Sequence, residues 1–165
     1  MENSFQRWEK FYKKINEDNY IYILDSNFFK NIHDYLLFSG LNIEEITEYY
    51  NKIINIFDKE KIQFILLKRE AIKESFEKSF KNRGLFWETH FKKQITEKYQ
   101  EQTLISNETI IYQYEEIYQK TIEKIFDQFE IDKVKLTTDK EEWHKYVKLI
   151  LNTPLLNSYR RKNRI

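Results

Sequence analysis

The sequence has no cysteine, one proline and two glycines in 165 residues. Without cysteine there is no disulfide framework and no thiolate metal site, and the composition fits a reducing cytoplasm. So little glycine and proline leaves almost none of the turn chemistry of an all-β fold, and long helices joined by short polar connections are expected. No apolar run approaches the ~20 residues of a membrane span, and the N-terminus lacks the basic and apolar regions of a signal peptide. An excess of one charge is missing too. The 28 Lys+Arg against 27 Asp+Glu leave a formal +1, unlike the global basicity of a dedicated nucleic-acid binder. Together these absences predict a soluble cytoplasmic protein with neither a membrane nor a nucleic acid as its partner.

Aromatic side chains are abundant instead. Only 41% of the residues are hydrophobic while 17% are aromatic, so the core of such a chain has to be built largely from rings. At helical spacing Trp8, Trp87 and Trp143 are expected in that core rather than stacked on bases. Tyr49, Tyr50, Tyr112 and Tyr114 are candidates for a partner surface, where amphipathic aromatics are enriched.

The run Tyr20-Ile21-Tyr22-Ile23-Leu24 is short, apolar and rich in β-branched and aromatic residues, and it ends in Asp25. It reads as a buried parallel strand that delivers Asp25 to its C-terminal edge, where open α/β sheets bind ligands. Before it, Phe5, Trp8, Phe11, Tyr12 and Ile15 recur at three to four residues and predict a helix over 4–17, capped by Asn3 or Ser4. After it, a helix through Phe28, Ile32 and Leu36 is expected to stop at Gly40, a left-handed position. Asn42 and Glu45 form a capping box that opens the next helix, along Ile46, Tyr50 and Ile53.

Ile62–Leu67 reads as a second buried strand, with Lys68 and Arg69 at its edge. Helices are predicted over 70–82, 85–99 and 107–129, the first broken by Gly84. Lys133–Thr137 alternates and reads as a strand near the edge of the sheet. Thr138 or Asp139 is expected to cap a last helix through Trp143, Tyr146 and Ile150, and Pro154 to end it. The expected fold is α/β and helix-rich, with about three short parallel strands flanked by about seven helices. It forms one domain over 1–157, followed by a basic solvated tail at 158–165 with Arg160, Arg161, Lys162 and Arg164.

Several motifs in this order resemble the later part of the P-loop nucleoside and nucleotide kinase family, thymidylate-kinase-like members in particular. Arg7-Trp8 stands on a helix before a strand ending in Asp25-Ser26. Gln63–Leu67 leads to a helix closing on Lys81-Asn82-Arg83-Gly84, and Lys135-Leu136-Thr137-Thr138 precedes an acid and Trp143. The resemblance implies that Asp25 contacts substrate or magnesium. It also implies that Lys81 and Arg83 belong to a basic lid over the transferring phosphates, and that Thr138 lies in a loop near the adenine. However, no Gly-x-x-x-x-Gly-Lys-Ser/Thr occurs, so the backbone cradle and lysine that carry most of the electrostatic work of phosphoryl transfer are absent. The family's first strand is central to its sheet, and each backbone group orphaned by its loss costs roughly 1 kcal/mol or more. The sheet is therefore expected to rearrange, or to be completed by a second chain or by strand exchange in a homodimer.

Plainer alternatives stand beside each of these assignments. Asp25, with Ser26 or Asn27, also reads as a helix N-cap, and Arg83 as a basic helix end favoured by the macrodipole. Arg83 and His90 share an Arg-x6-His spacing known from dimeric helical ribonucleases. Glu141 and His144 would share a helix face as metal ligands, but no second pair accompanies them, so no metal site is assigned. His33, beside Asp34, reads as a surface residue. The expected function is that of a partial kinase-like protein acting as a binding or interaction module, without self-sufficient kinase activity. The alternatives are half of a split nucleoside or nucleotide kinase, using ATP and magnesium once a partner supplies the phosphate loop, and a small inhibitor of a macromolecular target.

Overall fold

The computed structural model describes residues 2–18, 20–25, 28–99 and 110–163. Among them the elements run α1 (Glu2–Glu17), α2 (Lys30–Phe38), α3 (Ile43–Ile54), β1 (Gln63–Lys68), α4 (Ile72–Arg83) and α5 (Leu85–Tyr99). They continue as α6 (Ile110–Gln128), β2 (Asp132–Thr137), α7 (Trp143–Leu151) and α8 (Pro154–Asn163). The fold is helix-rich α/β, with β1 and β2 paired in parallel as a small two-strand sheet. Parallel strands need a crossover, and α4 to α6 supply it. The chain divides into two compact units: Met1–Ile65 with Gln128–Val134 and Val147–Ile165, and Leu66–Asp127 with Lys135–Tyr146.

In the first unit, α1 turns a half-buried stripe of Phe5, Trp8, Phe11, Tyr12 and Ile15 inward, as their spacing dictates. Phe5 packs on Tyr49 with ring centroids 5.2 Å apart, and Trp8 and Tyr12 meet Phe57 at 5.9 and 5.4 Å. Since α1 already begins at Glu2, Ser4 is inside the helix and caps nothing. Its hydroxyl instead shares a 2.9 Å hydrogen bond with that of Tyr49.

The stop at Gly40 is a Schellman motif. Gly40, at φ 75°, donates its N–H to Leu37 O, and Leu41 donates to Leu36 O. Two residues on, Glu45 N donates to Asn42 Oδ1 at 2.9 Å while Asn42 N donates to Glu45 Oε2 at 2.8 Å, which closes the capping box of α3. Ile46, Tyr50 and Ile53 are among the buried residues of α3, and Tyr50 reaches Phe64 of β1 through a set of rings. Phe28, Phe29 and Phe129 lie 4.6, 5.6 and 5.5 Å from Phe64, and Phe28 and Phe29 lie 5.1 and 5.3 Å from Tyr50. Tyr49 and Tyr50 are thus core residues, not the interface pair their chemistry suggested.

The expected strand at 20–25 is not formed. Tyr20, Ile21, Ile23 and Leu24 are exposed, and among the described residues no backbone hydrogen bond holds Ile21–Leu24. Tyr22 turns back, its ring 5.6 Å from Phe11 and its hydroxyl on the Asp18 carboxylate. The composition of the run specifies an extended backbone but cannot specify a neighbour for it. Pro154 is the other revision: α7 ends at Leu151, and the proline occupies the first position of α8, where its missing N–H costs nothing. The basic end expected as a solvated tail is helical to Asn163, with Arg160 and Arg161 exposed. Arg164 lies outside the described residues, as do Ser26 and Asn27 and the first residues of the helix predicted from 107.

In the second unit, Phe76, Phe80, Trp87 and Phe91 of α4 and α5 interlock, with Trp87 stacked on Phe91 at 5.2 Å and Phe76 at 5.4 Å from Phe91. The helices part at Gly84, whose φ of 85° disfavours any other residue. Ile110, Ile111, Tyr114, Ile122, Ile125 and Phe126 form the buried face of α6. Trp143, expected in the core, is about half exposed beside Tyr146.

His33 is fully buried on α2, three residues before Leu36 and stacked on Tyr50 at 6.2 Å, rather than at the surface. Burial disfavours its charged form and pushes its pKa from 6.5 down to about 4. Between those values the unfolded chain binds the proton and the native chain resists it, so stability falls as pH drops from 6.5 towards 4. The loss amounts to roughly 3 kcal/mol for a shift of this size. Urea unfolding at pH 7 and pH 4.5 should show this slope in the wild type and a much smaller one in His33→Leu. An equal slope in both would show that His33 is not its source.

Candidate functional site

The C-terminal edge of a parallel sheet is where α/β folds bind ligands, and in the second unit β1 and β2 end at Lys68 and Thr137. The strand ends are tied directly. Thr138 N donates to Lys68 O at 2.9 Å, and the Thr138 hydroxyl donates to the same oxygen at 3.1 Å. The next residue, Asp139, accepts from the backbone N–H groups of Glu70 and Ala71 at 3.1 and 3.0 Å. These two donors hold its carboxyl below the usual carboxylate range, Glu70 contributing most. Asp139 therefore caps the entry to α4, where the N-cap residue Ala71 has no side-chain acceptor of its own. It does not cap the helix that follows it, as its position in sequence suggested.

Charged side chains close around this junction. Lys68 Nζ lies 3.3 Å from Glu123 and 3.5 Å from Glu70. Lys135 Nζ lies 2.8 Å from Asp127 and 3.4 Å from Glu123, over the Phe126 ring. The hydrogen bond to Asp127 is the chief cause of its raised pKa. Glu141, a non-glycine residue at φ 51°, reaches Lys78 at 2.6 Å and Arg69 at 3.5 Å. Lys78 does most to hold its carboxyl below the usual range. Lys68, Arg69, Lys78 and Lys135 thus each face an acid. An anion entering here would have to displace Glu123 or Glu141 before gaining Lys68 or Arg69. The arrangement locks two strands and a helix start together, its bases turned onto acids.

The predicted site residues are placed as follows. Asp25 belongs to the first unit and lies after the irregular run Tyr20–Leu24, with no strand behind it. Lys81, Arg83 and Thr138 belong to the second. Lys81 and Arg83 are exposed on the last turn of α4, where Arg83 lays its guanidinium over Trp87 with its carbon 4.6 Å from the ring centroid. Thr138 is buried, its hydroxyl given to Lys68. His90 stacks on Phe86, so the Arg-x6-His pair engages two different rings. Glu141 precedes α7 and is held by Lys78 and Arg69, so it shares no helical face with His144. Among the described residues no three His, Asp or Glu side chains are grouped to hold a metal ion, and no helix is long and apolar enough to cross a membrane.

The sequence reading missed Asp139 as the cap of α4 and Glu123 as the acid shared by two lysines. The spacing of Glu123 and Asp127, one helical turn apart on α6, was the available signal for the second. Compared with protein-family models, with curated proteins and with solved structures, the chain matches none.

Asp139→Ala should destabilise the protein by about 1 kcal/mol, the usual worth of an N-cap acceptor, and speed amide exchange at Glu70 and Ala71. Because the folded-state pKa is depressed, this contribution is present above the ordinary carboxyl value of 3.8 and is lost as pH falls below it. An Asp139→Ala protein with unchanged stability at pH 7 would remove the cap from this account.

Proposed function

We propose that this chain is a non-catalytic binding module, a partial relative of the kinase-like fold its motifs resemble, lacking its own phosphate loop. One observation carries the proposal: large apolar side chains that would ordinarily be buried stand in solvent. Ile23 is 89% exposed and Tyr20 75%, while Phe86 and Leu85 at the start of α5 are 88% and 77% exposed. Scattered apolar residues on a surface need no explanation, but neighbouring ones of this size mark surfaces that other molecules cover. The closed ion pairs at the strand ends support the same proposal, because they neutralise the bases that would otherwise meet a phosphate. ATP and magnesium would enter only if a second chain supplied a phosphate-binding loop, and Asp25 and Arg83 would be that complex's substrate and phosphate contacts.

Thermal unfolding of the isolated chain should not change on adding magnesium-ATP, whereas saturation at ~100 times the dissociation constant would add ~2.7 kcal/mol. Phe86→Lys should leave stability within about 0.5 kcal/mol of the wild type, as for any surface position. ATP turnover by the chain alone would contradict the proposal. So would a Phe86→Lys protein as unstable as a core mutant.

A further inference from the structure

The corner between α4 and α5 sets projecting apolar side chains beside bases that no acid neutralises. Leu85 and Phe86, the first two residues of α5, stand 77% and 88% exposed. Side chains so exposed project from a surface and do not line a cleft. The chain reaches them through Gly84, at φ 85°, where an added Cβ would meet no atom within 4 Å. Just before it, Lys81 and Arg83 are exposed on the last turn of α4. Lys68, Arg69, Lys78 and Lys135 are each taken up by an acid, but among the described residues neither Lys81 nor Arg83 meets a carboxylate. Arg83 lies on the Trp87 ring instead. From Lys78 to Trp87 the sequence has no acid, and Glu88, the first to follow, is engaged by Lys92.

A partner for this corner has to accept two apolar side chains and carry negative charge around them. We infer that the corner docks on an anionic phospholipid surface, with Leu85 and Phe86 entering the boundary between headgroups and acyl chains while Lys81 and Arg83 meet the headgroups. The inference rests on the binding-module proposal and names its partner. Apolar side chains gain by leaving water for the acyl boundary, and long basic side chains hold their charge at headgroup level. The surface potential of anionic lipids attracts bases held close to it. A single-stranded nucleic acid would use the bases and stack on Phe86, but it would leave the aliphatic Leu85 in water. An acidic protein would need a pocket fitted to both projecting side chains, whereas a bilayer deforms around them. The sequence reading set membranes aside for want of a spanning run, and among the described residues no helix spans, but a surface contact requires none.

So few anchoring groups give a weak, reversible contact, read by sedimentation with vesicles at lipid concentrations on the order of 1 mM. The full chain should sediment with vesicles of phosphatidylserine and phosphatidylcholine mixed equally, and stay in solution with vesicles of phosphatidylcholine alone. Leu85→Ser and Phe86→Ser should each weaken binding about tenfold. Lys81→Gln and Arg83→Gln should each weaken it about fivefold. Leu149→Ser, at an exposed position on α7, should leave it unchanged. All these positions are exposed, so an unchanged Tm verifies that each variant is folded. Because the chain has no cysteine, Phe86→Cys and Leu149→Cys can each carry a single environment-sensitive dye. Its emission should shift to the blue on the mixed vesicles at position 86 and stay fixed at position 149. A chain that stays in solution with both kinds of vesicle overturns the inference, even if it binds a single-stranded oligonucleotide or a polyglutamate peptide. So does binding that is equal on both vesicles, or that survives the loss of Leu85 and Phe86. In any of these cases the binding-module proposal is judged separately by the nucleotide and Phe86→Lys measurements.

Discussion

The ring of Phe64 is the contact on which the first unit depends. It leaves β1 and enters a cluster of Phe28, Phe29 and Phe129, which in turn surrounds Tyr50 of α3. In a chain that is 17% aromatic, much of the area that must be removed from water is carried by such rings beside the isoleucines. They meet at tilted and edge-on angles, the geometry their quadrupoles favour, and the small strand is held from one face by this contact. The second unit repeats the solution with Phe76, Phe80, Trp87 and Phe91. Dense aromatic packing explains why a histidine is admitted to the core only in neutral form, stacked on Tyr50.

Polar closure completes what the rings begin. At the strand ends a single backbone oxygen, Lys68 O, accepts twice from Thr138, and Asp139 reaches across to start α4. The surrounding lysines and acids are partly exposed, so each pair contributes modestly, and their joint effect is to fix geometry. Charge neutralised in this way is withdrawn from ligand binding, and for that reason the function proposed here lies on apolar surface rather than at the sheet edge.

Much of the fold was legible because it is local. Gly40 and the Asn42–Glu45 box announce a helix end and a helix start through hydrogen bonds spanning five residues or fewer, and both form as the sequence indicates. β1 and β2 were legible from short apolar or alternating runs bounded by charge. What failed was non-local. Asp139 was assigned to the nearest helix, but its partner Ala71 lies 68 positions away, beyond anything periodicity can report. His33 was judged by its neighbour Asp34, although its spacing from Leu36 places it on the buried face of α2. Tyr20–Leu24 was read as a strand from composition, which records a preference for extended backbone and says nothing about the edge that would satisfy it. The candidate site divides in the same way: Arg83 and Lys81 were correctly placed on a helix end, whereas the inward bonding of Thr138 was invisible.

The ring cluster is where the account is most exposed to test. Its central claim is that the Phe64 ring, packed on Phe28, Phe29 and Phe129, holds the first unit together. Urea unfolding of Phe64→Ala addresses this directly. The account predicts a loss of about 3 kcal/mol, the lower end of the cost of emptying an aromatic core position. A stability within about 0.5 kcal/mol of the wild type, the range of an ordinary surface position, would contradict it.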